Sequence, residues 1–304
     1  MSITVKQWDG KPISEPGIYA GVPMSAYHGA RLCNAPSVSS SGLRTIMSKS
    51  PAHYWCESPY NPDRIDQKEV DALVLGRAAH HLLLGEDDFS TQFITRPDKF
   101  DSWRTAAAKD WKTEQEAQGR TVLLPSQLEQ IRGMARGLAG NALVRAGILN
   151  GEIEQTITWR CKDTGVWLKS RPDAIPNDSG DFADLKTTTS VQTADLARTI
   201  AEYGYHQQAA LIASGWHALT GRDLASFSFV FVEKAPPYCV RIVTLRDEDL
   251  ARGERQNMLA IRTFARCMET GEWPGPGSTD AEYLSLPEWK QKQIDHQIEQ
   301  AEAA

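Results

Sequence analysis

In GEIEQTITWR, Ile153, Ile157 and Trp159 alternate with Glu152, Glu154 and Thr158, a period of two that predicts a strand with one apolar face. The turn formers KDTG follow, then VWLKSRPDAI as a second strand, PNDSG as a second turn and DFADLKTT as a third strand. Three consecutive strands with such short links predict an antiparallel meander. SFSFVFVEK and YCVRIVTL, joined by APP, predict two more strands.

Elsewhere the period is helical. From Val70 to Leu84, apolar Leu73, Ala79, Leu83 and Leu84 recur at helical spacing and Gly85 supplies a stop, predicting a buried helix that carries His80 and His81. Serine caps precede a short helix around Leu43 to Met47, which Pro51 redirects. Phe89 to Arg120 reads as a loop followed by a solvated helix, and Pro125 to Ala146 as a helix with Arg132 and Arg136 one turn apart. Further helices are expected from Thr193 to Leu219, from Asp247 to Thr270, and beyond Pro287. Residues 1–35, rich in Gly, Pro and small side chains, predict an irregular lead-in. The expected organisation is a lead-in over 1–35, one mixed α/β domain over 36–289 with helical N-terminal additions, and a charged helical tail over 290–304.

Bulk properties narrow the class. A chain of 304 residues, 41% apolar, is long enough for a substantial core. No run approaches bilayer length, so no membrane association is expected. MSITVKQWDG lacks the basic and apolar regions of a signal peptide, so the expected location is the cytoplasm of a bacterial host. The five cysteines are widely spaced and read as reduced thiols, not a zinc or iron-sulfur ligand set. Acidic residues outnumber basic ones 39 to 33, for a formal charge of −6, which argues against non-specific coating of nucleic acid while leaving room for a local basic groove.

The chemistry concentrates in RPDAIPNDSGDFADLKTTTS. Along a strand Asp184 and Lys186 share a face while Leu185 points to the opposite layer, and Asp173 on the neighbouring strand ends beside them. Two adjacent carboxylates repel unless a cation lies between them, and such oxygen ligands suit Mg²⁺ or Mn²⁺. A metal held there polarises a phosphoryl oxygen, and a neighbouring lysine orients the nucleophile or stabilises transition-state charge. The plainer reading is a turn aspartate plus a surface Asp and Lys.

Pro172-Asp173 followed by Asp184-Leu185-Lys186 resembles the PD-(D/E)xK nuclease signature. LGRAAHHLLLGE resembles the Gly-x-x-x-His element of RecB-like and lambda-exonuclease-like nucleases, which by spacing from Gly76 selects His80. Glu154 matches the acidic residue these proteins carry on the strand before the Pro-Asp strand, and YGYHQQAALIAS resembles their Gln-x-x-x-Tyr helix, with Gln208 in place but Ile212 where the tyrosine belongs. Together with SSSGLRTIMSKSPAHYW, EWPGP and LSLPEW, these pieces resemble the nuclease domain of the RecE (exonuclease VIII) family from about Met24 to Trp289.

The resemblance implies a restriction-endonuclease-like α/β core, a central mixed sheet flanked by helices. It also implies a Mg²⁺-dependent exonuclease, with Mn²⁺ as a substitute, that degrades linear duplex DNA 5′ to 3′ and leaves 3′ overhangs for a RecT-type annealing protein. Family members form rings, and this compact version would be phage or prophage encoded. His80, Asp173, Asp184 and the Leu185 carbonyl would bind metal, Lys186 would position water, and Glu154 would hold a second ion or its water. Tyr205, Gln208, Arg44, Arg132, Arg136, Lys169 and Arg171 are candidate DNA contacts, with packing or solvated-surface roles as the other reading for each. Other readings on the same residues are an endonuclease, a single-strand exonuclease, or a non-catalytic DNA- or partner-binding module.

Overall fold

The strand Ser226–Glu233 places Phe227, Phe229 and Phe231 in one apolar cluster and Val230 and Val232 in another, so neither face is left to water. It is accordingly the middle of a three-stranded sheet between Asp181–Thr188 and Val240–Thr244. The computed structural model describes residues 4–65, 71–84, 89–176, 179–277 and 280–303, and for 71–73 the backbone alone. Within it, Met1–Pro274 form one compact unit and Gly275–Ala304 a second.

The expected meander is corrected. Thr156–Arg160 and Trp167–Ser170 do pair antiparallel, from Ile157 opposite Ser170 to Arg160 opposite Trp167. Asp181–Thr188 leaves that sheet and runs parallel to Ser226–Glu233, in register from Asp181 opposite Ser226 to Thr188 opposite Glu233. A parallel pair needs a crossover, supplied by helices Thr193–Glu202 and Tyr205–Thr220. The physical reason is cover on both faces. Tyr205–Thr220 and Asp247–Thr270 pack over Phe182, Phe227, Phe229 and Phe231, while Asp71–Leu83 and Pro125–Gly140 pack over Ala183, Leu185, Val230 and Val232.

The strand expected over 152–159 does not turn Thr158 to solvent: Thr156 and Thr158 are fully buried with Ile157. It is also broken: Glu152–Ile153 pairs with Ala174–Ile175, and regular structure resumes only at Thr156. The lead-in expected to be irregular contributes strands Val5–Gln7 and Gly17–Ala20 to a five-stranded sheet, the second pairing with Thr156–Arg160. Its Ile13, Ile18, Tyr19, Val22, Tyr27, Leu32 and Cys33 are buried, and long-range pairing overrides the local Gly and Pro signals.

The segment after Phe89 is likewise more ordered than a loop. Strands Phe93–Thr95 and Thr121–Leu123 pair parallel around helix Ala106–Ala117. The single helix expected from Thr193 to Leu219 is two, broken at Gly204, whose φ of +61° is left-handed. The helix expected from Pro125 to Ala146 is interrupted at Asn141, whose side chain caps Ala142–Arg145. Helix Asp247–Thr270 spans the residues expected. Val70 and Gly85, expected to bound the histidine helix, and the Leu73 side chain lie outside the described residues. Among the described residues no helix is long and apolar enough to cross a membrane.

Candidate active site

Helix Asp71–Leu83, strand Asp181–Thr188 and the turn before strand Ala174–Ile175 meet at one place. Helix Asp71–Leu83 lies against Asp181–Thr188, with Gly76 facing Thr187. One turn on, His80 therefore reaches the same strand, its Nε2 standing 2.7 Å from the Leu185 carbonyl and 3.5 Å from Asp173 Oδ2. The Leu185 amide donates to the same Asp173 oxygen. Asp173 thus ties the turn before Ala174–Ile175 to the middle of Asp181–Thr188.

Glu154 completes the group from the break in the first strand. Its φ of +54° is left-handed, uncommon for a residue with a side chain, and its amide donates to the Asp173 carbonyl at 3.1 Å. That kink brings one ligating atom each from His80, Glu154 and Asp173 within 4.8 Å of one another. Arg171 braces the same side, with Nε 3.8 Å from Glu154 Oε2 and further bonds to the Thr156 hydroxyl and the Val22 carbonyl.

Leu185 packs in the cluster beneath the histidine helix, whereas Asp184 and Lys186 face helix Tyr205–Thr220. Asp184 is fully buried, accepts from Gln208 Nε2 at 2.9 Å through Oδ1, and has the Lys186 ammonium against Oδ2. Lys186 lies 5.1 Å from the centroid of the Tyr205 ring and 6.0 Å from that of Phe229.

The electrostatics are those of carboxylates crowded out of water. Burial and the neighbouring Asp184 push the Asp173 carboxyl up to about 6, against the pull of His80 and Lys186. Burial works against the His80 charge, but Asp173, Asp184 and the Leu185 carbonyl outweigh it and raise the imidazole. Lys186 is likewise raised, burial being overcome by Asp184 and Asp173. Each carboxylate has a cationic neighbour, His80 for Asp173, Lys186 for Asp184 and Arg171 for Glu154. His80, Glu154, Asp173 and the Leu185 carbonyl present one nitrogen and several oxygens from three elements, a donor set that fits a hard divalent cation.

Beside this group opens a cleft of about 240 Å³, lined by Tyr27, Ser39, Ser40, Ser41, Arg44, Ser170, Arg171, Lys186, Tyr205, Gln208 and Ile212. Lys186, Tyr205, Gln208, Arg44 and Arg171 are thus brought together at one opening. The others are not. Lys169 is buried, its ammonium donating to the Tyr27 carbonyl, and burial lowers it to about 8. Arg132 and Arg136 stay exposed on helix Pro125–Gly140, Arg132 paired with Glu129 at 2.6 Å. His81 packs edge-on against Phe93.

Tyr27 and Ser170 belong to the cleft yet carry no signal in the sequence. Tyr27 sits 142 residues from Lys169, and Lys169 and Arg171 both lie over its ring. Only the strand pairing brings them together.

A family model described as a PDDEXK-like domain of unknown function (DUF3799) matches residues 39–287. No curated protein matches the sequence. Among solved structures, a candidate exonuclease from Eubacterium rectale is similar at 14% identity and a TM-score of 0.58, over 88% of this chain and 93% of that one. A phage-related exonuclease from Haemophilus somnus 129PT is similar at 11% identity and a TM-score of 0.33, over 77% of this chain and 96% of that one. The first likeness shows a shared fold.

Proposed function

Because the chain belongs to the family of PDDEXK-like domains of unknown function (DUF3799), we propose that it is a metal-dependent deoxyribonuclease acting on the ends of linear duplex DNA. The observation that carries the reading is the meeting of His80, Glu154 and Asp173 next to Asp184 and Lys186, at one edge of an open cleft. A sheet, a kink and two helices are all needed to assemble it.

His80, Glu154, Asp173, Asp184 and the Leu185 carbonyl are the groups that would hold a divalent ion, Mg²⁺ in the cell with Mn²⁺ as a substitute. When bound, such an ion polarises a phosphoryl oxygen and makes a coordinated water acidic enough to attack phosphorus. The residues supply the rest. Lys186, kept protonated by Asp184 and Asp173, donates hydrogen bonds to the attacking water or to the charge that builds on the phosphoryl oxygens. Gln208 fixes the Asp184 carboxylate by its bond to Oδ1, and the Arg171 guanidinium is the ion-pair partner of Glu154 at 3.8 Å. The rim residues Arg44, Tyr205 and the serines face the strand being cut.

The reading extends to 5′-to-3′ degradation that leaves 3′ overhangs for a RecT-type annealing protein in recombination, and to a homo-oligomeric ring. Those extensions are supported by the RecE-like motifs alone.

End-labelled linear duplex incubated with Mg²⁺ or EDTA tests the core of the proposal, with closed circular plasmid alongside. Wild type should degrade the linear DNA only with Mg²⁺, and Asp184→Ala should be slower by roughly 100-fold or more. Cutting of the closed circle would replace the exonuclease by an endonuclease, and the labelled end reports polarity. No metal-dependent cleavage of any DNA would leave a binding module as the function.

A further inference from the structure

Among the described residues of Met1–Pro274, one aromatic side chain is left largely in water: Tyr203 is 61% exposed. Its position is not that of an ordinary surface residue. Tyr203 closes helix Thr193–Glu202, and Gly204 then turns the chain left-handed into helix Tyr205–Thr220. A side chain at Gly204 would collide with Arg44, whose guanidinium donates to the Tyr203 carbonyl at 2.5 Å. Arg44 is half-buried at the cleft rim, its Nε also donating to the Ser40 carbonyl at 3.4 Å. Arg44 thus packs against the backbone at the helix break beneath the Tyr203 ring.

The ring has a partner of its own. Tyr203 stacks on Tyr205 with centroids 5.7 Å apart and planes 19° apart. Tyr205 in turn faces Phe229 at 5.3 Å and carries the Lys186 ammonium at 5.1 Å. A file of rings thus runs from the fully buried Phe229, past the lysine of the candidate site, to an aromatic face open to solvent. An exposed, stacked tyrosine face is a poor way to stabilise a fold, since it keeps apolar surface in water. It is a good stacking platform for a flat, weakly hydrated ring.

We propose that Tyr203 stacks on a nucleobase of the strand whose phosphate enters the neighbouring cleft, and so selects strand ends at which a base is unstacked from its neighbour. This rests on the nuclease reading above. In a continuous duplex each base already covers the faces of the next, so only a terminal or unpaired base offers a face to Tyr203. Arg44 and Lys186 flank the platform with positive charge suited to the adjoining phosphates. Tyr203 touches the base, not the reacting atoms, so its contribution belongs to binding more than to the chemical step.

The test uses the full chain and a linear duplex carrying 2-aminopurine at one end. Wild type, Tyr203→Phe, Tyr203→Leu and Tyr203→Ala are compared for KM, kcat, quenching of the probe and thermal melting. Stacking on the ring predicts quenching by wild type and Tyr203→Phe. It also predicts KM raised roughly tenfold in Tyr203→Leu and Tyr203→Ala, with kcat and melting unchanged and quenching lost. Leucine keeps the apolar bulk without the ring, so a Tyr203→Leu variant that behaves as wild type overturns stacking. Equal KM and quenching across all four proteins, in a preparation that cleaves DNA, overturns the inference and leaves the nuclease reading intact. A wild type that neither cleaves nor quenches overturns both.

Discussion

Asp173 is where the candidate site opposes the fold. An acid whose folded pKa is raised contributes no penalty below its unfolded value and the full penalty above its folded value. For Asp173 that window runs from 3.8 to about 6, and the metal-free protein loses stability through this group as the pH rises across it. The penalty is fully present at neutral pH and is on the order of a few kcal/mol. Asp173→Asn should therefore raise the melting temperature of the metal-free protein at neutral pH, by roughly 5 °C. Added Mg²⁺ should stabilise the wild type and not the variant, and its affinity for the wild type should fall as the pH drops through about 6, because a proton then competes for the carboxylate. Calorimetry on the two proteins checks all of this; a variant that melts below metal-free wild type would mean that Asp173 is a net structural support. Asp173 and Lys186 stood out in the sequence by type and spacing. The strained backbone that aims Glu154 did not, because a left-handed φ at a glutamate has no local signature.

At the scale of elements, Tyr238 shows how one helix is placed. Tyr238 has a φ of +59° and lies over Gly133 and Gly137 of helix Pro125–Gly140, so closely that a methyl group at Gly133 would overlap its ring. That helix shares a core cluster with the histidine helix, so its seating bears on where His80 sits. Gly133→Ala should cost about 1–3 kcal/mol in denaturant titrations, and Tyr238→Ala in the same chain should recover more than half of it. Additive losses in that double-mutant cycle would rule out the contact as the cause. A helix from Pro125 was expected, with Arg132 and Arg136 one turn apart, though its break at Asn141 was not. The two glycines look like mere helix weakeners until the residue that needs the space, 105 positions after the first of them, is seen on top of them.

Across the whole molecule the chain divides at Pro274. Trp273 stacks on Trp55 at 4.7 Å and the Ala52 amide donates to the Pro274 carbonyl, so the first unit closes on its own last residues. In Gly275–Ala304 no described residue is buried. A chain ending at Pro274 should melt within about 2 °C of the full protein, whereas one ending at Glu272 should lose several degrees with the Trp273 stack. A large loss from the longer truncation would show that the C-terminal unit supports the fold. The sequence by itself determined the elements with a clear period, such as Asp247–Thr270, and the opposite facing of Leu185 against Asp184 and Lys186. These follow from spacing along one strand or helix, which is local geometry. Only the tertiary structure decided that Asp181–Thr188 leaves its sequence neighbours to pair parallel with Ser226–Glu233. It alone decided that the first 20 residues add two strands, and that Glu154 and His80 converge on Asp173. Partner choice among strands depends on which arrangement buries both faces of each, and that is a property of the whole chain that no window of the sequence contains.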